Sequence, residues 1–66
     1  MNKRVRFEIR RPDGLTLAGV EGPAKSAMTE AFSYFLKYVE DGESPELWCK
    51  VGSGKWHKTE VTLCYQ

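Results

Sequence analysis

Sixty-six residues with a net charge of +1 and 29% charged side chains describe one small domain, with no membrane-length apolar run. A domain this size hides only about 60% of its extended surface, so self-association or partner binding is an expected further source of stability. The near-neutral charge argues against a dedicated nucleic-acid binder, whose basic excess is usually large.

Met1-Asn2-Lys3-Arg4-Val5-Arg6 leads into Glu8 and Arg10 instead of an apolar stretch, so it does not read as a signal peptide. A complete, soluble, cytoplasmic chain is expected. From Arg4 the pattern alternates: Val5, Phe7 and Ile9 point one way, and Arg4, Arg6, Glu8 and Arg10 the other. Pro12-Asp13-Gly14 is a three-residue hairpin loop, with proline presetting φ and glycine free to turn left-handed. Centring the hairpin on Asp13 pairs Ile9 with Leu17 and Phe7 with Gly19, which keeps the apolar residues on one face.

The spacing then predicts a helix from Pro23 to about Glu40, with Gly22 at the N-cap. Ala24, Ala27, Met28, Ala31, Phe32, Phe35, Leu36 and Val39 form its apolar stripe. Gly42 suits a left-handed stop, and Pro45 prevents continuation.

Leu47, Cys49 and Val51 alternate with Glu46, Trp48 and Lys50 in the next strand. On the return strand His57, Thr59, Val61, Leu63 and Tyr65 alternate with Trp56, Lys58, Glu60, Thr62 and Cys64. Only an odd loop brings the two apolar sets to one face, and Gly52-Ser53-Gly54 is odd, with Gly54 in the expected left-handed position. Centred on Ser53, this register sets Cys49 opposite His57, Trp48 opposite Lys58 and Lys50 opposite Trp56. Two cross-strand cation–π pairs are the expected result.

The fold class is therefore α+β, ββαββ: two β-hairpins forming a four-stranded antiparallel sheet with one helix packed on one face, in a single domain over residues 1–66. Strands are predicted near 4–11, 15–20, 46–51 and 55–65, in an order left open. The expected core is Val5, Phe7, Ile9, Leu17, Met28, Phe32, Phe35, Leu36, Val61 and Leu63.

Chemistry-bearing motifs are sparse. Cys49 and Cys64 fall on opposite faces, so two reduced thiols are expected. A Cys49–His57 dyad lacks an orienting acid and an oxyanion hole, and a structural zinc site needs four ligands. Gly52-Ser53-Gly54-Lys55 lacks the six-residue spacing and following helix of a phosphate loop. Glu40-Asp41-Gly42-Glu43 holds too few ligands for a calcium loop. The chain is therefore expected to be no enzyme and to need neither metal nor cofactor.

The helix-free face of the sheet is the unusual one. Arg4, Arg6, Arg10, Trp48, Lys50, Trp56 and Lys58 should share it with Glu8, Glu46, Glu60, Thr16 and Thr62. Tryptophan and arginine are the types most enriched at binding hot spots. The expectation is a non-enzymatic protein-binding module, of the kind phage and mobile-element genomes encode as inhibitors or regulators of nucleic-acid-handling machines. Its partner would be a protein or a nucleoprotein complex, with no membrane involved and a homodimer allowed. The alternative is direct single-strand nucleic-acid binding, with Trp48 and Trp56 stacking on bases; the interleaved glutamates count against it.

Overall fold

A computed structural model describes residues 4–60. The alternating segment forms β1 (Arg4–Arg10), followed by β2 (Thr16–Pro23), α1 (Ala24–Glu40), β3 (Glu46–Val51) and β4 (His57–Thr59). All neighbours are antiparallel, in the order β2-β1-β3-β4. The ββαββ architecture is as predicted, and the two hairpins join along their first strands. The portion of the fourth predicted strand beyond residue 60, with Val61, Leu63 and Cys64, lies outside the described residues.

The first turn closes as its residues require. Gly14 takes φ +99°, its N–H meets the Arg11 carbonyl at 2.8 Å, and the Leu15 N–H meets Asp13 Oδ1 at 3.0 Å. The predicted register holds only beside the turn, where the Arg11 N–H donates to the Leu15 carbonyl. Between Ile9 and Arg10 it shifts by one: Arg10 pairs with Thr16 but Ile9 with Ala18, leaving Leu17 as the extra residue of a β-bulge. Phe7 therefore faces Val20, and Gly19 faces Glu8. The slip puts Val20 in the core and leaves Leu17 only partly buried, so a β-branched residue takes the place that Gly19 would have left empty.

The chain passes from β2 into α1 without a loop. Pro23, with φ −57° and ψ 141°, is the extended N-cap rather than the first helical residue, and Gly22 belongs to the strand. At the other end Gly42 takes φ +89°. The Gly42 N–H reaches the Val39 carbonyl and the Glu43 N–H the Tyr38 carbonyl, both at 3.0 Å. These are the paired bonds of a Schellman stop.

The core is Val5, Phe7, Ile9, Val20, Ala27, Ala31, Phe35 and Leu47, with Ile9 fully enclosed. Besides the partly buried Leu17, three expected core residues are not in it: Met28, Phe32 and Leu36 are 54%, 38% and 37% exposed. The helix packs chiefly on β1 and β2, because a helix about 10 Å wide spans only two strands spaced about 4.8 Å apart. Its buried line runs through Ala27, Ala31 and Phe35, about 100° from the Met28–Phe32–Leu36 line. The small alanines let the helix approach the sheet, and Phe32 rests on Phe35 with ring centroids 6.2 Å apart and planes 9° apart.

The second hairpin keeps its predicted register: Leu47 pairs with Thr59, Trp48 with Lys58 and Cys49 with His57. Its turn chemistry differs. Gly52, at φ +57°, is the left-handed residue, and Gly54 is not. The Gly54 N–H instead closes the turn on the Val51 carbonyl at 2.9 Å.

Candidate aromatic–arginine binding face

The helix occupies one face of the sheet, so the outward residues of β1 and β3 form an uncovered surface. Arg10 lies at its centre. Its guanidinium carbon is 4.7 Å from the centroid of the Trp48 ring and 4.9 Å from that of Trp56. Its Nε and Nη2 both donate to Glu8 Oε1, at 2.9 and 2.7 Å. One cation is thus held by two indoles and a carboxylate, an arrangement that fixes a long, flexible side chain.

The predicted cation–π pairs are half present. Lys50 Nζ lies 5.4 Å from the Trp56 centroid, as its cross-strand position implied. Lys58 pairs with Trp48 in register, yet its ammonium goes to Glu46 Oε2 at 3.3 Å. Arg10 takes the face of Trp48 instead, because a planar, weakly hydrated guanidinium stacks better than an ammonium that can reach a carboxylate.

Glu46 links the cluster together. The Trp48 indole N–H donates to its Oε1 at 3.1 Å. That bond, then the Lys58 bond, holds the Glu46 carboxyl below the usual carboxylate range. Arg10 stands opposite Glu46 across β1–β3 and adds to the same effect.

Arg4 and Arg6 stand apart, toward the other end of β1. Arg4 pairs with Glu21 at 3.8 Å, and Arg6 with Glu21 at 3.5 Å and Glu8 at 3.6 Å. Of the seven residues singled out from sequence, Arg10, Trp48, Lys50 and Trp56 meet directly. Lys58 joins through Glu46, and Arg4 and Arg6 connect only through the chain of ion pairs.

The glutamates are what the sequence reading undervalued. Glu8 lies two residues from both Arg6 and Arg10 on one strand face, a legible signal. Glu46 stands two residues from Trp48 in the same way, Glu21 required the bulged register, and only the approach of Glu46 to Arg10 required the strand order. Arg11, paired with Glu43 at 2.8 Å, ties the first turn to the helix stop and gives one acid of the Glu40–Glu43 run a structural role.

On the helix side, Lys25, Met28, Phe32, Leu47, Thr59 and Glu60 line a shallow groove between α1 and β4. Cys49 carries a free thiol on this side, directly across from exposed His57. Burial pushes that thiol's pKa up, the opposite of what a nucleophile needs. Gly52 to Lys55 forms a hairpin turn that leads into β4, not into a helix. Among the described residues no group of three or more His, Cys, Asp or Glu converges as a metal site, and no helix is long and apolar enough to cross a membrane. Compared with known protein families, curated proteins and solved structures, the chain matches none.

Proposed function

We propose that this chain is a non-enzymatic protein-binding module that docks a partner on the helix-free face, with Trp48, Arg10 and Trp56 at the centre of the contact. The observation that carries this reading is Arg10 held against two indoles on the open side of the sheet. Binding hot spots combine Trp and Arg, and a side chain already held in place loses little further entropy on docking. A role as inhibitor or regulator of a larger nucleic-acid-handling machine, with a protein or nucleoprotein partner, belongs to the same proposal.

Direct nucleic-acid binding is the weaker reading because of how the cations are used. Arg4, Arg6, Arg10 and Lys58 each have a carboxylate within 4 Å. A strand of phosphates would have to displace those partners to gain the counterion release that drives such binding. Arg10 also covers one face of each indole, so a base stacking there would have to expel it.

The test is affinity capture with and without nuclease, using wild type and Trp48→Ala, beside titration with a fluorescent oligothymidylate at physiological salt. A captured protein that survives nuclease and is lost with Trp48→Ala supports the proposal. Oligonucleotide binding at micromolar affinity or better would replace it.

A further inference from the structure

We propose that two copies of this chain join antiparallel along β2, forming one continuous eight-stranded sheet with the two α1 helices packed side by side. The inference is independent of the partner-binding proposal and begins with the sheet edges. β2 is an outer strand of eight residues. Edges are normally blunted by charge, proline, a bulge or close cover. β2 contains no Lys or Arg, its bulge at Leu17 and its proline lie toward its two ends, and its one charged residue is Glu21. The one side chain hydrogen-bonded to its backbone among the described residues is Tyr38, whose hydroxyl donates to the Leu17 carbonyl at 3.2 Å.

Helix placement makes this edge self-complementary. Because α1 packs on β1 and β2 together, its axis lies about half a strand spacing inside β2. Adding β2 of a second copy at about 4.8 Å then sets the two helix axes about 10 Å apart, within the packing distance of helix pairs.

Tyr38 marks the flank of α1 that faces this edge. At 3.6 residues per turn, Tyr34 and Glu30 lie one and two turns back on the same flank, with Lys37 beside them. Tyr34 is 40% exposed. Glu30 and Lys37 are exposed, and neither has an ion-pair partner among the described residues. Across a two-fold axis between antiparallel helices, Glu30 meets the second copy's Lys37 and Lys37 its Glu30, with the two Tyr34 rings near the axis.

Strand and helix agree on where that axis falls. Centring it on Val20 places it about 10 Å along β2 from Pro23, and the middle of the Glu30–Lys37 span is about 14 Å along α1. The difference is about one strand residue. This register sets Glu21 of one copy against Gly19 of the other. A Cβ at Gly19 would lie 3.7 Å from Arg6 Nη2, so the incoming carboxylate arrives beside a cation.

Sedimentation of the full chain from 1 µM to 1 mM tests the proposal, with circular dichroism to verify the fold of each variant. The expected result is a reversible dimer. Glu30→Lys and Lys37→Glu should each weaken it about tenfold, since each removes two symmetry-related pairs and adds like-charge contacts. The double reversal Glu30→Lys/Lys37→Glu should regain wild-type affinity. Phe32→Ser, in the groove on the opposite flank, should leave it unchanged. A monomer throughout, single variants within twofold of wild type, no recovery in the double reversal, or a dimer lost with Phe32→Ser would each overturn the β2 interface.

Discussion

The guanidinium of Arg10 has few ways to be satisfied on an open sheet surface, and here it uses three at once: Glu8, Trp48 and Trp56. The Glu46 carboxyl beside it provides a direct check. Its folded-state pKa is lowered first by the Trp48 indole N–H and then by Lys58. Its contribution to stability is therefore present above the unfolded pKa and disappears as pH falls through the lower, folded value. Carboxyl NMR titration should find Glu46 titrating below the ordinary glutamate range, and Trp48→Phe should raise it. No change in that variant would remove the indole bond as the cause. The two phenylalanines on α1 separate equally clearly. Phe35, 7% exposed, should cost about 3–5 kcal/mol when cut to alanine. Phe32, at 38%, should cost about 1–2 kcal/mol. Chemical denaturation measures both, and equal losses would contradict the burial pattern.

At the scale of elements, turn chemistry and alternation were readable because each is a local constraint. Pro12-Asp13-Gly14, the odd second loop and Gly42 all act within a few residues, and the strands and helix they bound lie close to their predicted places. What was not readable depends on partners distant in the chain. The β1–β2 bulge arises because Val20 fills the place beside Phe7 better than Gly19 does, a comparison only the packed core can make. The left-handed residue of the second turn moved from Gly54 to Gly52, since either glycine permits it. Gly42→Ala should destabilise by about 1 kcal/mol, because φ +89° is strained for any residue with a Cβ. A thermal melt unchanged by that substitution would show that the helix stop can rearrange.

At the scale of the molecule, one helix covers half of one sheet face, and this explains why the helical stripe was assigned too broadly. Periodicity shows which residues of a helix are apolar, but not how far the sheet beneath them extends. Met28, Phe32 and Leu36 satisfied the pattern and still stay exposed, the first two along a groove. The candidate face was more legible: its alternation placed all seven residues on the outer side and supplied the Lys50–Trp56 pair, while the Arg10 contacts with both indoles were what sequence could not supply. Trp48→Ala and Trp56→Ala should each weaken partner binding by about 2 kcal/mol or more, with the fold retained. Lys25→Ala, on the helix, should change it little. A partner that binds the doubly substituted chain normally would move the site elsewhere.

The chain has two tryptophans, and both lie against the same guanidinium. Excited at the red edge, where the three tyrosines do not absorb, its intrinsic emission therefore comes from a single place, with no indole elsewhere to dilute it. A cation over each ring alters the excited-state environment of both chromophores, so the emission reports whether Arg10 is seated. Arg10→Leu should shift that emission while the far-ultraviolet dichroism stays constant. Any molecule that settles on this surface, or draws Arg10 away, should be visible without a label.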